Sequence, residues 1–391
     1  MAATDRLRGL LARGLARLVA ASRGRAAGVF GAMFGGLFGG LFATGSARAV
    51  DLPEDRVEQM FHLYQGGGTR ALGPALLVRK SVADRVSLTG TYYIDIVSNA
   101  SIDVVTQASR YKETRTEYNV GADYLVRDTL IHLSTDHSSE PDYLATSTSL
   151  DLTQDAFGGM TTVTFGFTKG SDSVRKKGSP TFLDHAGHWQ YRLGLTQILT
   201  PRWVLSLNGE AIADDGFLGS PYRSALVFGA AVPERDPRTR SSRSLKIGVR
   251  GDVGEPGARA AVHADYRFFK DTWDISANTF TVGYSRYFGD ELMVDAFVRF
   301  YGQRHALFYT DNATAETLYV SRNRQLSTFH DIALGSRLSY SWKASPDAIG
   351  LSFNASFDLM QFKYRDFTDI RTGSPYQFSA RVLQLYAIAT F

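Results

Sequence analysis

Apolar and polar residues alternate strictly along many segments of this chain, most of them roughly 10–14 residues long, whereas strands of globular sheets usually have five or six. In residues 349–359 one set of alternate positions reads Ile, Leu, Phe, Ala, Phe, Leu, and the intervening set reads Gly, Ser, Asn, Ser, Asp. Successive side chains of a β-strand point to opposite faces, and only this period of two produces such sorting. The chain is therefore predicted to be all-β, with one apolar face on each strand.

The connections between these segments alternate between short and long. The short ones are Ser81–Arg85, Val126–Asp128, Asp155–Gly159, Thr200–Arg202, Gly254–Gly257, Phe288–Glu291 and Ala344–Ala348, and the longest of the others are Asp214–Arg243 and Gly302–Ser327. Short turns at one end and long loops at the other are typical of outer-membrane barrels rather than of soluble sandwiches, which also alternate. Residues 50–391 are therefore predicted to form a transmembrane antiparallel up-and-down β-barrel. Phe391 ends an amphipathic segment and resembles the signal read by the barrel-insertion machinery.

The number of strands is predicted from the alternating segments. Fifteen are clear, with centres near residues 77, 91, 120, 133, 149, 165, 194, 207, 249, 265, 281, 297, 336, 355 and 384. Bacterial barrels have an even number of strands. Arg56–Gln65 supplies a sixteenth, although its alternation is poor. Fourteen or eighteen strands remain open, because Arg223–Val232 reads as a further strand inside the longest loop.

Residues 1–49 have the order of a secretory signal peptide. Basic residues up to Arg25 precede an apolar, glycine-rich segment at 26–42, and Ala47 and Ala49 stand at the key positions of a cleavage site. A permanent transmembrane helix over 26–45 is the alternative, since Gly31, Gly35 and Gly39 have GxxxG spacing. The repeated glycines disfavour a helix, and no later window approaches ~18 consecutive apolar residues.

Cleavage after Ala49 predicts Val50 as the first residue of the mature protein. N-terminal sequencing of material extracted from outer membranes checks this expectation. Finding Met1, or any residue of the apolar segment, at the N-terminus would contradict it.

The composition excludes several classes of function. The chain has no Cys, which excludes disulfides, thiolate metal sites and a lipoprotein anchor. Its net charge of +4 comes from the first 49 residues, which carry seven Arg and one acid, so that residues 50–391 carry −2. Nothing in the chain therefore indicates nucleic-acid binding.

Charged residues of both signs occupy the polar positions of the predicted strands. The candidates for lining the lumen are Arg115, Glu117, Asp123, Asp151, Arg192, Glu210, Arg250, Asp252, Asp265, Arg267, Asp295, Arg299, Asp331, Arg337 and Asp358. One interpretation is a polar pore lining that sets selectivity. The other is a network of ion pairs that packs the lumen and braces the wall. The even mixture of signs argues against strong charge selectivity.

Candidate catalytic and metal sites are weak in this sequence. Outer-membrane proteases with active sites at the barrel rim use Asp and His side chains, and this chain has such residues at Asp136-His137 and Asp214-Asp215. Side chains that can bind a metal occur at Asp184-His185 and His188. Solvated polar loops hold such residues far more often, and sequence spacing does not bring them together. We therefore predict no catalytic residue, no metal and no cofactor.

Several stretches resemble a family of proteobacterial proteins of unknown function, DUF3570. They are Gly66–Lys80, Ala100–Asp123, Phe157–Gly166, Gly216–Ser224, Pro237–Arg240 and His263–Trp273, and the resemblance extends over nearly all of residues 52–391. It implies an outer-membrane barrel. It also suggests periplasmic redox proteins as partners and assigns no role to any residue.

The leading hypothesis is a non-enzymatic, porin-like channel in the outer membrane of a Gram-negative bacterium, passing small polar solutes or holding a partner in its lumen. The alternative is a structural barrel that presents its loops outward and tethers periplasmic redox or lipoprotein partners. The third hypothesis is an outer-membrane hydrolase. Besides the lipid bilayer, the barrel-insertion machinery is the expected partner.

Overall fold

A computed structural model describes residues 50–99, 111–255, 257–342 and 349–391. The predicted signal peptide with Ala47 and Ala49, and the predicted turn Ala344–Ala348, lie outside the described residues. The strands are β1 Arg56–Gly66, β2 Thr69–Ala83, β3 Val86–Asn99, β4 Tyr111–Val126, β5 Thr129–Ser139, β6 Tyr143–Ala156, β7 Thr161–Lys176, β8 Ser179–Thr200, β9 Trp203–Gly216, β10 Ser224–Val227, β11 Ala230–Pro233, β12 Thr239–Asp252, β13 Ala260–Asp271, β14 Ser276–Phe288, β15 Leu292–Gln303, β16 Phe329–Trp342, β17 Gly350–Asp369 and β18 Ser374–Thr390. The only helix of the described residues is the 3₁₀ turn Arg324–Leu326.

Sixteen of these strands form one closed antiparallel barrel. Each strand pairs with its neighbours along the chain, β9 pairs with β12, and β1 closes the barrel on β18 from Arg56 opposite Thr390 to Gly66 opposite Ala380. The predicted all-β, up-and-down barrel of sixteen strands is confirmed, with Arg56–Gln65 inside β1. The segment Arg223–Val232 adds no wall strand, because β10 and β11 pair only with each other as a small hairpin.

The two ends of the barrel differ. Connections such as Asp84-Arg85, Arg127-Asp128 and Pro201-Arg202 lie at the end where β1 begins and β18 finishes, which we call the turn end. The opposite end, the loop end, carries the two long connections 217–238 and 304–328. This separation follows the alternation of connection lengths in the sequence.

The wall has one apolar and one polar face. Val282 and Leu334 stand two strands apart in one row and are 43% and 56% exposed, whereas Asp295 and Asp331 on the other face are buried. In a closed barrel the less exposed face is the interior, so the apolar side chains form an outward belt. Aromatic residues occupy both borders of this belt, among them Tyr118 and Phe268 toward the loop end and Trp203 and Tyr340 toward the turn end.

Among the described residues, no helix combines the length and apolar character required to cross a membrane.

Candidate functional site: the barrel interior

The inward face carries most of the charged residues of the wall. Strand register places all fifteen candidates for the lumen lining on this face, since Asp295 lies opposite Arg337, Arg192 opposite Glu210, and Arg115 opposite Asp95. The two-residue period maintains this orientation along each strand. A single polar face therefore runs around the interior.

Inward-facing ions pair with near neighbours along the wall. Examples are Arg192–Asp151, Arg299–Asp331, Arg267–Glu210 and His263–Asp295, in which the nitrogen–oxygen distances are 2.8, 3.0, 3.3 and 3.8 Å. Each of these pairs joins strands no more than two positions apart in the barrel. The charges therefore lie along the wall and do not bridge across the axis.

The middle of the interior is accessible to water. Lys246 and Arg267 face inward from adjacent strands, yet their side chains are 43% and 40% exposed. Side chains packed into a filled core would lose nearly all of this surface. A sixteen-stranded barrel is also wide enough to leave an aqueous channel.

Acidic side chains outnumber basic ones on the inward positions of the described wall. The basic residues are Arg56, Arg79, Arg115, Arg192, Arg240, Lys246, Arg250, Arg267, Arg299 and Arg337, and the acidic residues are Glu58, Asp95, Glu113, Glu117, Asp123, Asp136, Asp151, Asp155, Asp172, Asp184, Glu210, Asp214, Asp252, Asp265, Asp271, Asp295, Asp331 and Asp358. Many of these residues are not among the fifteen candidates, although their alternate positions within each strand identify them as inward-facing. The interior thus has an excess of negative charge.

Three inward histidines besides His263 bind carboxylates. His188 lies between Asp172 and Asp214, with nitrogen–oxygen distances of 2.7 and 2.8 Å. His132 binds Asp123 at 2.7 Å, and His62 binds Asp95 at 3.2 Å while also contacting the Tyr93 hydroxyl at 3.0 Å. These contacts reduce the number of free carboxylates on the wall.

The weak enzyme and metal candidates are not assembled. Asp136 faces inward and accepts a hydrogen bond from Asn119, whereas the neighbouring His137 faces outward against Tyr118. Asp214, four strands away on β9, binds His188 instead. Likewise His185 and His188 lie on opposite faces, and Asp184 pairs with Arg238. No group of three His, Asp or Glu side chains in the described part of the chain is arranged so that it could hold a metal ion.

An aromatic cluster covers the inward face of β16–β18 at the loop end. Phe362 stacks on Phe378 with ring centroids 4.6 Å apart, and Tyr364 packs against Tyr376 at 5.6 Å and against Phe329 at 5.0 Å. These residues occupy the same inward-facing alternate positions as Asp358, farther toward the loop end. The interior is therefore polar in its middle and apolar on one side of its loop end.

Residues 304–328, which we call the inner loop, fold onto this aromatic cluster. Ala306, Tyr309 and Leu326 are buried against it. Further contacts fix the loop to the rim, because the Leu307 amide donates to the Trp273 carbonyl at 2.8 Å and the Tyr309 hydroxyl donates to the Asp366 carbonyl at 3.0 Å. The inner loop therefore narrows the loop end of the barrel.

A buried arginine holds the inner loop in place. The Arg322 side chain is 2% exposed and lies 2.7 Å from the Asp311 carboxylate. It donates to the carbonyls of Asp311 and Thr368 at 2.9 and 2.8 Å, and its guanidinium lies 4.5 Å from the Phe367 ring centroid. Phe367 and Thr368 belong to β17, so Arg322 ties the loop to the wall.

The hairpin β10–β11 extends this layer of loops. Backbone hydrogen bonds join Arg235 to Val320 in both directions, at 2.9 and 3.0 Å, and the Phe228 amide donates to the Ala313 carbonyl at 2.8 Å.

Just beyond the hairpin, burial and the nearby Glu234 raise the pKa of Asp236 to about 7. This carboxyl therefore changes charge near neutral pH.

Residues 182–361 match the model of the family described as "Protein of unknown function (DUF3570)", which confirms the predicted family over that range. No curated protein matches the sequence. A bacterial polysaccharide outer membrane secretin is similar with 7% identity and a TM-score of 0.48, covering 85% of this chain and 98% of that chain. OmpT of Vibrio cholerae is similar with 9% identity and a TM-score of 0.43, covering 86% and 97%, and the CymD monoaromatic hydrocarbon channel with 12% and 0.41, covering 86% and 88%. At these identities the likeness concerns the fold alone.

Proposed function

We propose that this barrel of the DUF3570 family is a non-enzymatic channel for small polar solutes in the outer membrane. The observation that carries the proposal is the water-accessible, charged interior of a closed sixteen-stranded barrel, represented by the exposed Lys246 and Arg267. An apolar outward belt in water would be a very large exposed hydrophobic surface, which lipid covers. The loop end would then face the cell exterior, because long loops are extracellular in such barrels.

The inner loop would set the size limit of the channel. It occupies the loop end on the side of β13–β18, where Trp273, Phe362 and Phe378 surround it. Solutes would therefore pass beside a layer of fixed loops before they meet the charged middle of the lumen. This arrangement favours small solutes over folded cargo.

The excess of inward carboxylates supports a preference for cations. An excess of acids in a water-filled passage with low-dielectric walls attracts cations and repels anions. The preference should be modest, because many of the acids are already neutralised by Arg or His partners such as Arg299 and His188.

Planar-bilayer recording of the purified protein tests the channel and its selectivity. We expect discrete conductance steps and, under a tenfold KCl gradient, a reversal potential on the cation-selective side. Raising both salt concentrations should shrink this potential, since salt screens the lumen charges. Absence of any conductance, in protein whose insertion is verified by heat modifiability, would contradict the channel and favour the structural barrel that tethers periplasmic partners.

A further inference from the structure

Four basic side chains cluster outside the barrel at the loop-end border of the apolar belt. Arg70 precedes Leu72 on the outward face of β2, and Arg381 precedes Leu383 on β18. Lys363 and Arg365 follow Leu359 on β17, and the four cations are all exposed. The strands β17, β18, β1 and β2 are consecutive in the barrel. The cluster therefore forms one patch where the belt ends.

These cations lack the carboxylate partners found elsewhere in the molecule. Within the described residues, which do not include 100–110, no ion pair involves any of the four, and the Arg381 guanidinium donates only to the Gln65 side chain, at 3.2 and 2.8 Å. At the opposite border of β2, by contrast, Lys80 lies 2.5 Å from Asp55. Arg70 and Arg381 flank Gln65 in one row across β2, β1 and β18, and Lys363 and Arg365 lie farther toward the loop end. Like charges placed without an acid repel one another, which an anionic ligand would relieve.

A groove of about 500 Å³ runs between Arg70 and Arg381. The turn Gly66–Gly68 supplies bare backbone there, while Ser379 adds a hydroxyl group and Leu359 adds an apolar wall. A Cβ on Gly66 would stand 2.2 Å from the Ala380 Cβ, so glycine is required for this close approach. The groove thus combines cations, hydrogen-bond donors and direct continuity with the apolar belt.

We propose that this patch binds the phosphate groups of a phosphorylated glycolipid in the outer leaflet. Arg70 and Arg381 would contact a phosphate in the groove, Lys363 and Arg365 would attract a second anionic group, and the acyl chains would lie along Leu359 and Leu383. Arginine suits this task because its planar guanidinium binds phosphate oxygens in pairs. A lipid fits better than a soluble anion, since the groove opens onto the apolar belt. The inference rests on the outer-membrane placement proposed above and is independent of conduction.

Native mass spectrometry and titration with fluorescent lipid A test the site. The full-length mature protein is inserted into phosphatidylcholine vesicles containing diphosphoryl lipid A or its dephosphorylated form. We expect binding of diphosphoryl lipid A to be at least tenfold tighter than binding of the dephosphorylated form. The double variant Arg70→Gln/Arg381→Gln should lose at least tenfold of that affinity.

Arg286→Gln is the matched control, because Arg286 is an exposed, outward-facing arginine near the turn-end border of the belt. It should bind lipid A as the parent does, and heat modifiability should show that both variants fold. Equal binding of the two lipid forms, or unchanged binding by the double variant, would overturn the site. Displacement of the lipid by millimolar inorganic phosphate would identify a simple anion site and overturn the lipid assignment. Failure of every protein to enter vesicles would instead overturn the membrane placement, and the lipid site with it.

Discussion

Replacing Arg322 by Met is expected to raise the mean single-channel conductance at least twofold and to make it noisier. The substitution removes a buried cation that binds Asp311, the Thr368 carbonyl and the Phe367 ring. Breaking one partner of a buried ion pair costs about 3–5 kcal/mol, which is enough to release a loop from its docking surface. With the inner loop undocked, the loop end of the barrel would be wider.

Arg304→Met is the control for this experiment. Arg304 lies in the same loop, is exposed, and uses its backbone amide rather than its side chain to bond Ser276. Its replacement should leave both conductance and the protease resistance of the loop unchanged. If Arg322→Met also left both properties unchanged, the inner loop would not control the width of the channel.

Val282→Arg should destabilise the folded barrel by roughly 2–4 kcal/mol, while Thr281→Arg should cost far less. Val282 lies on the outward belt near mid-strand, so the added guanidinium would enter hydrocarbon. Thr281 is its neighbour on the inward face, between Asp265 and Arg299, where water and a carboxylate are available to the new charge.

Urea unfolding of each variant from lipid vesicles measures this difference. The two variants carry the same new residue at adjacent positions of one strand. The β-propensity of the new arginine is therefore the same in both. Equal stability of the two variants would contradict the assignment of the outward face to lipid, and solubility without detergent would contradict the membrane barrel itself.

The regular wall strands were predictable because their inward and outward environments differ strongly. In β14 and β15, outward Phe280, Val282 and Val298 alternate with inward Thr281 and Arg299, and this contrast is visible in the sequence. The alternation of β1 is poor for a structural reason. Its inward face carries Tyr64 in the aromatic cluster and Met60 below it, so that both faces of β1 contain apolar residues.

The local period of two by itself determined most of the wall strands and their two faces, because the alternation of side chains depends only on neighbouring residues. The count of sixteen and the closure of β1 on β18 were decided by the tertiary structure, since β1 alternates poorly and its partner lies at the far end of the chain. Only the tertiary structure decided how the loop end is narrowed. Arg322 contacts Phe367, which lies 45 positions later in the chain, and Arg235 pairs with Val320 across a still longer separation. Such contacts depend on how loops of irregular conformation pack, for which no repeating pattern exists. The same holds for the outward cluster, since Arg70 and Arg381 lie at opposite ends of the chain and meet only when β18 closes on β1.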